Sequence, residues 1–163
     1  MTEQTLIENT FFTEDDNLAQ PIEPQIEPEL KRDLICEAAD EMKAQNITIL
    51  DVREITTLAD YFVMCSGTST THIQSIAGGV RDRLRERAKQ RARAEGDAAS
   101  LWIILDYGDV ILHVFDEDTR EFYDLERLWA DAKASVYEAP AGENGSETED
   151  ENRFRQSPAR QTI

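Results

Sequence analysis

Two apolar runs, Leu101-Trp-Ile-Ile-Leu105 and Val110-Ile-Leu-His-Val-Phe115, stand four residues apart with Asp106-Tyr107-Gly108-Asp109 between them. Each run is too short for a buried helix and rich in β-branched residues, and the polar, glycine-bearing spacer marks a turn. The pattern predicts a β-hairpin. Paired about a Tyr107-Gly108 turn, Leu105 faces Val110, Ile104 faces Ile111, Ile103 faces Leu112 and Trp102 faces His113. Because side chains alternate across a strand, one face carries Leu101, Ile103, Leu105, Val110, Leu112 and Val114. The other carries Trp102, Ile104, Ile111, His113 and Phe115, with Asp106 and Asp109 at its end. The aliphatic face demands a core. The second mixes aromatic, imidazole and carboxylate groups, as a surface that meets another macromolecule does, although a tryptophan in a strand is equally at home in a core.

The remaining elements fall around this hairpin. Leu30, Leu34, Ile35, Ala38, Ala39 and Met42 recur at helical spacing behind Pro28, with Asn46 as the stop. Ile47–Val52 reads as a strand, and Tyr61–Cys65 as a central strand apolar enough to be covered on both faces. Ser66–Thr71 is a polar turn supplying the N-cap of a second helix whose buried stripe is Ile73, Ile76, Ala77, Val80, Leu84 and Ala88. Gly78 and Gly79 interrupt it, which close packing on the sheet would explain. A short edge strand is expected at 91–95, and a last helix after Asp116-Glu117-Asp118 with Phe122, Leu125, Leu128 and Trp129 as its stripe. The expectation is an α/β single domain over residues 28–138, in the order α-β-β-α-β-β-β-α: a mixed β-sheet of about five strands with helices packed on it.

Charge divides the chain. Lys plus Arg number 17 against 34 Asp plus Glu, a net of −17. Residues 1–29 carry eight acids and no base, and the series Pro21, Pro24, Pro28 interrupts them. Residues 1–27 and 139–163 therefore read as disordered acidic tails. The part between is moderately acidic, which disfavours DNA and suits a basic protein as partner. No apolar run approaches the roughly 20 residues that cross a bilayer, so no membrane association is expected. The two cysteines, Cys36 and Cys65, have no metal-ligand or disulfide spacing. Together with the missing basic leader, they point to the cytoplasm.

Three chemistries can be weighed on the residues. Ser66-Gly67-Thr68-Ser69 at a helix start could cradle a phosphate, but metal-assisted nucleotidyl transfer needs carboxylates converging on a cation, and the strand Tyr61-Phe62-Val63-Met64 has none. An ordinary N-cap is the favoured reading, with no cofactor and no enzyme activity. Cys65 and His72 lack a third, orienting group for nucleophilic catalysis. Arg81, Arg85 and Lys89 form one flank of the second helix and Arg83, Arg87 and Arg91 the other; the first is a candidate for ribosomal RNA contact.

Three stretches resemble the ribosome silencing factor (Iojap-like) family: Asp60–Ser69 with Thr71-His72, Trp102–Phe115 and Arg120–Trp129. The likeness spans about residues 30–135 and leaves the tails out. It implies a fold similar to nucleotidyltransferases but without known catalysis, and a protein that binds the large ribosomal subunit through its ribosomal protein fourteen. Such a protein blocks small-subunit joining and represses translation; organelle relatives take part in large-subunit assembly, and homodimers occur. Carried onto the matched positions, the partner-contact residues are Trp102, Asp106, Tyr107, Asp109, His113, Tyr123 and Glu126. Trp102 is the anchor among them.

Overall fold

A computed structural model describes residues 23–141. Pro28 opens helix α1 (Pro28–Glu41), where its missing N–H costs nothing. Strand β1 (Gln45–Asp51) follows; Asn46, expected as the helix stop, instead lies inside β1 at φ +50° where the pairing with the next strand is irregular. Strand β2 (Tyr61–Gly67) is buried at every position. Helix α2 (Thr70–Ala88) begins on Ser69, whose hydroxyl accepts from the His72 amide. Strands β3 (Arg93–Glu95), β4 (Trp102–Asp106) and β5 (Val110–Asp116) precede helix α3 (Glu117–Tyr123), a single turn α4 (Leu125–Leu128) and strand β6 (Lys133–Val136).

The sheet runs β3-β4-β5-β2-β1-β6. Only the central pair β2–β5 is parallel; the other four pairings are antiparallel, so the sheet is mixed as expected. It has six strands rather than five. Every position of β6 is exposed, so it has no apolar alternation to read, and as a short edge strand carrying Lys133 it is poorly suited to pair with another chain.

Helices α1 and α2 cover one face. Ile35, Ala39, Ile73, Ile76, Val80 and Leu84 meet Val63, Cys65, Leu105, Leu112 and Val114 there, all fully buried. At about 2 kcal/mol for each large aliphatic side chain removed from water, this cluster dominates stability. Gly79 allows the helices to approach: a Cβ there would lie 2.6 Å from Cγ of Met42, so the close contact is with α1, not with the sheet, while Gly78 faces open space. Leu30 and Leu101, expected in buried stripes, are exposed.

The second face holds a smaller cluster of Leu50, Val52, Ala59, Phe62, Met64 and Phe115, onto which Trp102, Ile111, Leu125 and Trp129 pack. The single last helix expected from the sequence is broken. Asp124 adopts φ +42° and serves as both the end of α3 and the cap of α4. The stripe is thereby split, with Leu125 and Trp129 on the cluster and Phe122 and Leu128 in solvent at 81% and 70% exposure.

Residues 1–22 and 142–163, most of the expected tails, lie outside the described residues. Residues 23–27, read with the tail, lie against the fold: Ile26 packs on the main core and the Pro24 carbonyl accepts from Gln90 Nε2 at 2.7 Å. Among the described residues no helix is long and apolar enough to cross a membrane.

Candidate functional site: an aromatic shelf on the second sheet face

The hairpin closes one residue later than the sequence suggests. Tyr107 N–H donates to the Val110 carbonyl, leaving Gly108-Asp109 as the two-residue turn, with Gly108 at φ +88°. A two-residue hairpin turn of the mirror kind needs φ > 0 at its first central position, and glycine fills that place where tyrosine could not. The Asp106 carboxylate accepts from the Gly108 amide at 2.7 Å. Every cross-strand partner therefore moves by two residues: Trp102 opposes Phe115, and His113 opposes Ile104. A slip of two preserves the sides, so the expected division into an aliphatic and an aromatic face holds.

Trp102, Phe115, His113 and Tyr123 form a continuous aromatic shelf on that face. The Trp102 ring stacks on Phe115 at 4.9 Å and meets Tyr123 at 4.8 Å. Its Nε1–H donates to Nδ1 of His113 at 3.1 Å. Phe115 is fully buried beneath, Trp102 is half-buried, and Tyr123 and Phe122 stand in solvent at the outer edge. Phe122 packs edge-on against Tyr123. Burial pushes the His113 imidazole down to about 4, against a small opposing pull from Glu126. The ring is therefore neutral near pH 7 and able to accept the indole proton.

Tyr107 and Asp109, expected at this surface, sit elsewhere. Tyr107 points into the core under α1 and α2, as its parity with Ile103 and Leu105 requires. Asp109 turns to α1 and pairs with the buried ammonium of Lys31 at 2.5 Å, while its carbonyl accepts from Asp60 and Tyr61 amides. On α3, Glu117, Asp118 and Glu121 are exposed, and Glu117 and Glu121 line a cleft with Asn46, Arg120, Asp124 and Glu126. Helical periodicity hid the exposure of Phe122 by assigning it to the interior; the signal available was the run of acids around it in sequence.

Glu126 is half-buried and binds Arg120, which donates to it through Nε (2.8 Å) and Nη2 (2.6 Å). The same guanidinium reaches the Asn46 carbonyl (2.8 Å), Ser66 Oγ (3.0 Å) and Thr48 Oγ1 (3.2 Å). Arg120, buried and unremarked in the sequence, thus ties α3 and α4 to β1 and β2. Its planar fork suits this many acceptors.

Several groups of the Ser66–Thr71 turn have partners within the fold. His72 Nδ1 accepts from the Thr68 amide at 2.9 Å, which places the ring proton on Nε2, and that N–H donates to the Met42 carbonyl at 2.8 Å. Ser66 Oγ accepts from Arg120, and Ser69 Oγ caps the helix. Cys65 is fully buried and its thiol is pushed up to about 12 by that burial, the wrong direction for a nucleophile. Among the described residues no group of three His, Cys, Asp or Glu side chains is placed to hold a metal ion. Arg81, Arg85 and Lys89 are exposed; Arg85 pairs with Asp82, and Arg83 on the opposite flank pairs with Glu41 of α1.

Comparison with known proteins places this arrangement. The family model described as "Ribosomal silencing factor during starvation" matches residues 24–162. Ribosomal silencing factor RsfS of Bacillus subtilis (strain 168) is 41% identical over 95 residues, 58% of this chain and 80% of that protein. Mitochondrial assembly of ribosomal large subunit protein 1 of Mus musculus is 31% identical over 100 residues, 60% of this chain and 44% of that longer protein. A crystal structure of a Chromobacterium violaceum protein superposes with a TM-score of 0.63 at 29% identity, covering 72% of this chain and 98% of the other. Sequence and fold agree, and the chain belongs to the ribosomal silencing factor family.

Proposed function

We propose that this chain is a non-catalytic regulator of translation that binds the large ribosomal subunit through ribosomal protein fourteen and opposes docking of the small subunit. The unit that acts is residues 28–138, in the cytoplasm. The observation that carries the reading is the aromatic shelf: Trp102, half-buried on a rigid sheet, with Tyr123 against it and the exposed Phe122 packed on Tyr123 at the outer edge. Exposed aromatic side chains on a protein with a net acidic charge suit a basic protein partner, the rings supplying affinity and the carboxylates of the surface steering. Relatives named for ribosome silencing and for assembly of the ribosomal large subunit support the same target.

The mechanism is occlusion. A body bound on the intersubunit side excludes the small subunit from the same place, and the opposition grows as the logarithm of its concentration over its dissociation constant. No bond is made or broken. The test is gradient sedimentation: purified protein is expected to travel with isolated large subunits and to reduce formation of joined ribosomes from separated subunits. Unchanged joining at saturating protein would overturn the reading.

A further inference from the structure

A second surface, at the opposite edge of the sheet from β6, carries the reverse charge. Arg81, Arg85, Gln90, Arg91 and Ala92 line an open cleft of about 270 Å³ where α2 hands over to β3. The chain enters the fold at this cleft. Glu23 Oε1 accepts from the Arg91 amide at 3.1 Å, and Gln90, itself buried, donates to the Pro24 carbonyl. The Tyr107 hydroxyl, buried beside it, finds no hydrogen-bond partner among the described residues. Burial raises its pKa, and Arg81 and Arg85 pull against that rise. Arg85 is paired with Asp82, and the other carboxylate at the cleft, Glu23, is the last acid of a segment whose charged side chains are all acids.

We infer that the acidic N-terminal segment of this same chain, residues 1–22, is the occupant of the Arg81–Arg85–Arg91 cleft, continuing the contact that Glu23 begins. Residues 1–22 contain Glu3, Glu8, Glu14, Asp15 and Asp16 and no Lys or Arg. From Glu23 back to Glu14 an extended chain covers up to about 30 Å. Arg81 and Lys89 are only about 12 Å apart along the helix axis. Glu14-Asp15-Asp16 therefore reaches the whole basic flank. Tethering raises its effective concentration at the cleft into the millimolar range, where even a weak acidic ligand binds. The segment lies outside the family match, which begins at residue 24, so this cover is a feature of this chain. It makes the basic flank accessible only to a polyanion able to displace it.

A nitroxide on Thr13→Cys tests this directly in the full chain, because Cys36 and Cys65 are both buried and leave residue 13 as the one accessible thiol among these three. Amide signals of Arg81, Arg85 and Arg91 are expected to broaden several-fold more than those of Lys133–Val136. The difference should vanish at about 0.5 M salt, where screening shortens to a few ångströms, and in the triple variant Glu14→Gln/Asp15→Asn/Asp16→Asn. Broadening that is uniform over the surface, or indifferent to salt and to the triple variant, overturns the inference. So does broadening equally strong between a labelled chain and a separate isotopic one, which would make the occupant a second copy. Oligouridylate that binds this flank with the same affinity in the triple variant as in the parent also overturns it, since a covered face must yield its cover to take RNA. None of these readouts involves ribosomes, so they stand or fall apart from the proposed silencing function.

Discussion

Trp102 and His113 are diagonal neighbours on adjacent strands, and the indole N–H of the first ends on Nδ1 of the second at 3.1 Å. The bond fixes the imidazole as neutral with its proton on Nε2. It also sets the tilt of the most exposed large ring on a rigid element of the shelf. The shelf is thus a hydrogen-bonded aromatic layer continuous with the second core, and its outer edge alone is free.

Stability should fall on acidification in a way assignable to His113. Its folded-state value of about 4 lies below the ordinary 6.5, so below pH 6.5 the unfolded chain binds the proton more readily. The contribution is full at neutral pH and is lost as pH drops from 6.5 towards 4, with about 2 kcal/mol of it gone by pH 5. Denaturant melts of the parent and of His113→Gln, whose amide can still accept from Trp102, are expected to converge between pH 7 and pH 5. Parallel curves would remove His113 as the cause.

Phe122→Ala and Trp102→Ala should separate binding from folding. Phe122 is 81% exposed, so its truncation should leave the melt within about 0.5 kcal/mol of the parent while weakening large-subunit association about tenfold. Trp102 is stacked on Phe115 and bonded to His113, so its removal should weaken association and also cost about 2 kcal/mol of stability. Comparing chemical melts with sedimentation for the two variants reads both effects. A Phe122 variant that binds as the parent does would move the contact away from the shelf.

The Lys31–Asp109 pair should behave as a structural latch. Asp109→Ala strands a buried ammonium and is expected to cost about 2 kcal/mol, tempered by the partial exposure of the carboxylate. Adding Lys31→Met to it should restore most of the loss. A double-mutant cycle by urea denaturation measures this, and strict additivity would show that the two side chains act separately.

Arg120→Lys should destabilise by about 2 kcal/mol or more, because an ammonium cannot serve the Asn46, Thr48, Ser66 and Glu126 acceptors together. Amide exchange in α3 and α4 is expected to accelerate more than in β4 or β5. Uniform acceleration would mean that Arg120 supports the whole fold and not the shelf's outer wall in particular.

What the residues disclosed beforehand follows from where periodicity is strong. β2, β4, β5 and α2 carry strong apolar patterns, and each lies where its pattern put it apart from shifted ends: β2 runs on through Ser66-Gly67, β4 starts at Trp102 and not Leu101, and β5 ends at Asp116. The two faces of the hairpin also held, because a shift of two positions is invisible to a period of two. The position of the turn hung on the positive φ at Gly108, which apolar periodicity does not carry and which the glycine itself signalled. The break at Asp124 was hidden for a similar reason: an aspartate tolerates the left-handed region without announcing it, so Phe122 and Leu128 read as interior. β6 has no apolar alternation at all and exists because the edge of β1 was open. Tyr107 shares the parity of Ile103 and Leu105, so alternation already placed it on the core side, whereas the turn residue Asp109 is directed by Lys31, brought from far upstream.

The parallel pairing of β2 with β5 makes the molecule indivisible in time as well as space. Residue 61 meets residue 110, and residue 67 meets residue 116, so during synthesis the first half must wait for the hairpin to emerge before its central seam can close. Until then the strand 61–67, buried at every position in the finished fold, has one flank open, and a newly made chain is most exposed to misassociation in that interval. Two fragments divided between Glu95 and Leu101 would each carry one side of the seam, which makes that junction the natural place to split the protein into a reporter that regains its shape only when both pieces meet.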